Sequence, residues 1–212
     1  MIRTRFLFRR TAAVAVAGAA AFVLAGCGGN GDDSAGHGGH NSNSASPAVS
    51  ASASQGQHNA ADVAFAKGMI PHHRQAVEMA GLAPERAQSA EVKKLAAAIK
   101  KAQDPEIKTL SGWLTSWGEE VPADGAMAHS MHGGESGGMM TVQEMDRLEK
   151  ASGKAFDTAF MEMMIKHHEG AVEMAKTEQA DGSYTPATEM AGQIVISQSA
   201  EIERMNKLLG KS

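Results

Sequence analysis

The sequence predicts an all-α protein, an antiparallel four-helix bundle built from two copies of one helical hairpin. The first observation is a repeat. Residues 62–80 read DVAFAKGMIPHHRQAVEMA and residues 157–175 read DTAFMEMMIKHHEGAVEMA, with 12 of 19 positions identical at an offset of 95. The register then runs on without a gap: Leu95 faces Met190, Ile99 faces Ile194, Ile107 faces Ile202, Leu110 faces Met205 and Leu114 faces Leu209. Self-similarity at a fixed offset over this length marks duplication of a structural unit. The second observation is period. Phe65, Met69, Ala76 and Ala80 recur with the spacing of one helical face, and Leu95, Ile99, Ala102, Leu110, Trp113 and Trp117 make a similar stripe. The third is composition: 14 Met against 6 Phe, 2 Trp and 1 Tyr, a set that favours helix over an all-β sandwich.

In chain order, residues 1–26 read as an export signal. Arg3, Arg5, Arg9 and Arg10 precede an apolar run over residues 12–24, shorter than the ~20 residues a bilayer span needs. The run ends in Leu24, Ala25, Gly26 and Cys27, which resembles the lipobox of bacterial lipoproteins. Cys27 is the sole cysteine, so no disulfide framework forms within one chain. Lipidation of Cys27 would make it the mature N-terminus and hold the protein to the outer face of the cell membrane. Residues 27–58 are Gly, Ser, Ala, Asn and His with almost no large apolar side chain. They read as a flexible tether after the anchor.

The bundle is expected over residues 59–212. Residues 59–117 form the first hairpin, with Gly81 to Pro84 as the break between its helices. A linker over 118–140 is rich in Gly, Met and His. Residues 141–212 form the second hairpin. It is led by a short helix that opens on a capping box of Thr141 and Glu144 and closes at Ser152 and Gly153. Thr185 and Pro186 read as N-cap and first helical residue of the last helix. Pro71 falls inside the first helix, where a kink beside His72 is expected because the stripe continues through it.

The chemistry sits on the apolar faces. At about 100° per residue, His72 and His73 fall roughly 60° and 40° to either side of Met69, and His167 and His168 flank Met164 in the same way. On the second helices Gln103 and Glu106 are repeated as Gln198 and Glu201. Buried without partners, such groups cost about 1–3 kcal/mol each when neutral, so they need either each other or a ligand. Two readings stand. One is a hydrogen-bonded polar core of Gln103, Glu106, Gln198 and Glu201 with the histidines, serving structure or a protein partner. The other is a metal site with Met69, His72, His73, Met164, His167 and His168 as ligands. The linker adds His129, Met131 and His132, with Met127, Met139 and Met140 nearby. Thioether with imidazole suits copper(I) better than zinc, magnesium or calcium.

Several classes are excluded or unsupported. Loss of the four leader arginines takes the formal charge from −4 to −8, a poor balance for nucleic-acid binding. No Glu-x-x-His motif is present, so di-iron carboxylate chemistry is not expected. There is no Cys-x-x-Cys, His-Glu-x-x-His or phosphate loop, and no motif marks a catalytic residue. A homo-oligomer and an envelope protein partner both remain open.

Phe160, Met164, Ile165, His167, His168, Ala171, Met174 and Ala175, followed by Gln198, Glu201, Ile202 and Met205, resemble the hallmark of a bacterial family called domain of unknown function 305. The first copy carries the same features at Met69, Ile70, His72, His73, Gln103, Glu106 and Ile107. The resemblance covers roughly residues 60–210. It implies a ferritin-like four-helix fold, often exported, with copper binding or copper resistance among some relatives. The expected function is therefore copper capture or buffering outside the membrane, with a non-catalytic structural or interaction bundle as the alternative.

Overall fold

A computed structural model of the chain describes residues 57–123 and 137–211. Among them five helices follow in order: α1 (Ala60–Arg86), α2 (Ala90–Trp117), α3 (Val142–Lys150), α4 (Gly153–Asp181) and α5 (Thr185–Leu208). The described residues form no strand, only an isolated bridge between Ala87 and Gly153. Cys27, His129, Met131 and His132 lie outside the described residues.

Local chemistry sets most helix starts. Asn59 caps α1, its side chain accepting from the Ala61 and Asp62 amides while Asp62 accepts from the Asn59 amide at 2.5 Å. Ser89 caps α2, and Thr141 with Glu144 forms the expected capping box of α3. Two boundaries and one face position differ from the expected ones. Gly81 to Pro84 does not end α1, which runs on to Arg86, because Pro84 removes only one backbone bond near the end of the helix. The last helix is capped at Tyr184 rather than Thr185, with Pro186 in its first turn and no side-chain cap. Ala102, expected on the buried stripe of α2, is exposed, and Gln103 is buried in its place. α1 stays helical through Pro71.

The turns are placed by contacts between the two hairpins. The Asp157 carboxylate of α4 accepts from the Gln88 and Ser89 amides at 3.1 and 2.9 Å, in the turn before α2. At the offset of 95, Asp62 of α1 accepts from the Ser183 and Tyr184 amides at 3.2 and 3.0 Å, in the turn before α5. Each hairpin thus fixes the other's turn, and amides that would be orphaned at a helix start are satisfied.

α1 packs against α4 at the centre, α2 against α1, and α5 against α4. The central pair is antiparallel, and two apolar clusters show it. One joins Ala76, Met79 and Ala83 of α1 to Phe156, Phe160 and Met164 of α4, with Leu95 and Ile99 of α2 and Met205 of α5. The other joins Phe65, Met69 and Ile70 of α1 to Ala171 and Ala175 of α4, with Leu110 and Leu114 of α2 and Ile194 of α5. Between these layers lie the buried His72, His73, Gln103, His167, His168 and Gln198. α3 has no counterpart in the first half. It packs on α1 and α4, burying Met145 and Leu148 against the first cluster.

One acid breaks the twofold pattern. Glu178 stands where the first copy has Ala83, and it is 1% exposed beside Asp62. Burial, reinforced by Asp62 and Asp181, pushes its carboxyl up to about 8. Burial also works to raise the Asp62 carboxyl. Hydrogen bonds from Asn59, Glu178, Tyr184 and Ser183 outweigh that and hold it below its ordinary value. Glu178 therefore keeps the proton and Asp62 the charge. The folded state binds that proton from the ordinary carboxyl pKa of 4.5 up to about 8, a range in which the unfolded chain has released it. Stability attributable to Glu178 is full below the lower value and falls as pH rises to the upper one. Glu178→Gln removes this decline. The melting temperature of the variant, measured against that of the native protein, rises steadily between about pH 5 and 8.

Candidate metal centre

The histidine layer sits at the middle of the four long helices, where α1 and α4 cross near the axis relating the two halves. His72 and His167 occupy equivalent positions and meet there, ring centroids 3.8 Å apart and planes tilted by 43°. His73 and His168 turn the other way, each toward the outer helix of its own hairpin. His73 Nε2 donates to Glu106 Oε2 at 2.7 Å, and His168 Nε2 donates to Glu201 Oε2 at 2.6 Å. The two bonds repeat one arrangement at the same sequence separation.

These contacts settle which ring nitrogens are free. A carboxylate or carbonyl oxygen only accepts, so the nitrogen facing it carries the hydrogen. The Nε2 atoms of His73 and His168 face carboxylates, and His72 Nε2 donates to the Gly137 carbonyl at 2.9 Å. The Nδ1 atoms of His72, His73 and His168 are buried without a partner, and so are both nitrogens of His167. Gln103 Oε1 and Gln198 Oε1 are likewise unpartnered.

The central pair is uncharged. Burial, opposed by the Gly137 bond and aided by His73 and His168, holds His72 down at about 3. Burial first, then the neighbouring histidines, lowers His167 well below the ordinary imidazole value. Neutral imidazole is the form that binds a metal ion. An anchoring carboxylate behind a metal-binding histidine orients the ring and raises its basicity, which is the placement of Glu106 and Glu201.

Met69, one turn before His72, and Met164, one turn before His167, lie in opposite apolar layers. Both are fully buried. Among the described residues no three His, Cys, Asp or Glu side chains converge on one point. The donor types at this level, an imidazole pair with a methionine one turn before each ring, match a soft ion of low coordination number better than a tetrahedral site built from histidine and carboxylate alone.

Several residues of the site carried no signal in the sequence. The chain leaving α2 is held to α1 by Lys67 with Glu119 at 2.5 Å and by Arg74 Nη1 with the Pro122 carbonyl at 2.6 Å. It returns beside His72 at Gly137, and Gln75 then binds Met140 through both backbone groups, at 2.7 and 2.9 Å. The two described ends of the Met/His linker are thus tied to one stretch of α1, residues 72–75. Asp62 and Asp157 did carry a signal, as the first matched pair of the repeat, but nothing local distinguishes a turn clamp from a solvated aspartate.

Fold and site together define a duplicated helical bundle with a buried histidine layer between two apolar halves. The family described as domain of unknown function, DUF305, matches residues 62–209, and the chain belongs to it. A DUF305 protein of Streptomyces coelicolor, whose name infers secretion, is 33% identical with a TM-score of 0.62, over 71% of this chain and 93% of that one. A DUF305 fragment from Deinococcus radiodurans is 28% identical with a TM-score of 0.64, over 73% of this chain and 98% of that one. The Cu(II)-bound form of CopM is 35% identical with a TM-score of 0.60, over 69% of this chain and 94% of that one. CopM is also known in Cu(I)-bound, silver-bound and apo forms. No curated protein matches the chain.

Proposed function

We propose that this protein captures copper(I) outside the cytoplasm, at the layer where His72 meets His167, and buffers it or hands it on. The carrying observation is the set of orphaned ring nitrogens. Each buried neutral group without a partner costs about 1–3 kcal/mol, and a bound soft ion would satisfy several at once. Ligands come from His72 and His167, with Met69 and Met164, while Glu106 and Glu201 orient His73 and His168. The copper- and silver-bound forms of a relative matched over more than nine-tenths of its own length support the choice of metal. His129, Met131 and His132 are proposed as a further capture set in the linker, whose two ends are tied beside His72.

Anaerobic titration of copper(I) against a chromophoric chelator tests the reading, with His72→Ala/His167→Ala beside the native protein and zinc run in parallel. Loss of competition in the variant supports it. Unchanged competition moves the site to the linker.

A second reading has its own support. The His73–Glu106 and His168–Glu201 bonds are complete without metal, so this part of the layer also fixes helix register. The two roles are compatible, because one ring nitrogen serves each.

Among the described residues no helix is long and apolar enough to cross a membrane. Attachment is proposed to rest on a lipid at Cys27. Cys27→Ser is expected to move the protein from the membrane fraction to the soluble fraction, read by fractionation and blotting, with copper(I) affinity unchanged.

A further inference from the structure

Residues 137–140 lie across the groove between α1 and α4, over the central histidine pair. Gly137 and Gly138 take positive φ of 62° and 77°, a conformation that side chains disfavour. The backbone here approaches α4 so closely that a Cβ at Gly170 would overlap the Gly137 carbonyl, and one at Gly138 would overlap the Lys166 carbonyl. Gly170 and Gln75 are equivalent positions of the repeat, offset by 95, yet they do different work. Gly170 leaves room for this segment, and Gln75 grips it through both polar groups of Met140. The Gly137 carbonyl closes the contact by taking the His72 Nε2 hydrogen at 2.9 Å. Under it His72 is 2% exposed and His167 is fully buried.

The attachment is strong in geometry but modest in number. Three hydrogen bonds hold the segment, two of them from one half-buried glutamine. Met139 and Met140, at its C-terminal end, are buried, and Met140 belongs to the apolar cluster with Met145 and Leu148 of α3, so the two glycines can lift from this root without unfolding the bundle. α2 and α5 flank the layer, each packed on the inner helix of its own hairpin.

We propose that Gly137 and Gly138 form a displaceable strap controlling access to the histidine pair, hinged on the buried Met140, with Gln75 as the latch that holds the hinge. Gln75 is a positioning residue: it touches no metal ligand and sets the exchange rate through the strap. The route for copper rests on the capture reading above, whereas the strap's cover of His72 does not.

The test uses the purified protein and two variants. Gln75→Ala removes the latch and places a better helix former in α1. Gly170→Ala keeps the latch and adds a methyl group where the Gly137 carbonyl lies. Diethyl pyrocarbonate probes neutral imidazoles without any metal, and mass spectrometry reads each histidine separately. Modification of His72 is expected to quicken about tenfold in both variants, the size set by loss of one or two hydrogen bonds, with His73 and His168 unchanged. Copper(I) transfer from and back to a chelator, followed by stopped flow, is expected to quicken by a similar factor in both directions, leaving the equilibrium affinity within about threefold. Unchanged modification of His72 overturns the strap, even where copper binds tightly. A rise at all four histidines reports general opening and also overturns it. Faster modification of His72 alone supports the strap even if the native protein fails to compete for copper(I), in which case the capture reading falls by itself.

Discussion

Replacing His72, His73, His167 and His168 together with alanine is expected to lower copper(I) affinity by more than about a thousandfold, a loss of about 4 kcal/mol. The paired substitution at His72 and His167 accounts for most of it, because these two rings meet at 3.8 Å and hold three of the orphaned nitrogens. Glu106→Gln and Glu201→Gln act through His73 and His168, outside the central pair, and are expected to cost less than about tenfold each. The melting temperature without metal separates the two roles of the layer. Truncating His72 and His167 leaves cavities but relieves buried groups that cost about 1–3 kcal/mol each, so stability changes little. A steep drop in melting temperature for that pair, with copper(I) affinity retained, would show the central rings to be structural and overturn the capture reading. Competition titration and thermal unfolding followed by circular dichroism supply both readouts.

Phe160→Ala is expected to be the most damaging single change to the fold. Phe160 is fully buried and stacks on Phe156 with centroids 5.7 Å apart, in the cluster that joins both hairpins to α3. A truncation of this kind costs about 3–5 kcal/mol through lost burial and the cavity left behind, or about 6–20 °C in melting temperature for a domain of this size. Phe65 holds the equivalent place in the other cluster and is 6% exposed, so Phe65→Ala is expected to cost less. Urea or thermal unfolding checks the order. Equal small losses at both positions would mean that the two clusters relax independently of the histidine layer between them.

The effect of these two changes traces to what the repeat made legible. Helical period and the doubled Met-x-x-His-His placed four histidines against an apolar stripe, and the second half of the repeat brought Gln and Glu to the same level. Residue spacing alone is enough for this, because positions three and four apart on a helix share a face. The resemblance to the 305 family, and with it the helical fold, also followed from residues in the sequence. The linker's Met and His residues pointed to a soft metal by their type, although Met139 and Met140 at its end are buried, Met140 in the apolar cluster with α3.

Pairing was decided by the tertiary structure. Spacing put His72 and His73 on either side of one stripe but did not say which would turn toward the twofold axis and which toward α2. The antiparallel crossing of α1 and α4 decided it, bringing His72 to His167 and leaving His73 and His168 to their glutamates. The turns followed the same logic. Gly81 to Pro84 looked like a break by composition, yet the break falls at Ala87 to Ser89, where Asp157 from the other hairpin satisfies the amides. The strap needed two residues that no local rule relates, since Gly170 matters for the side chain it lacks and Gln75 for a backbone 65 residues away. A sequence by itself determines which side chains share a helix face, because that depends on dihedral angles repeated along one segment. Which faces then meet, and which buried atoms are left without a partner, depends on the packing of segments far apart in the chain.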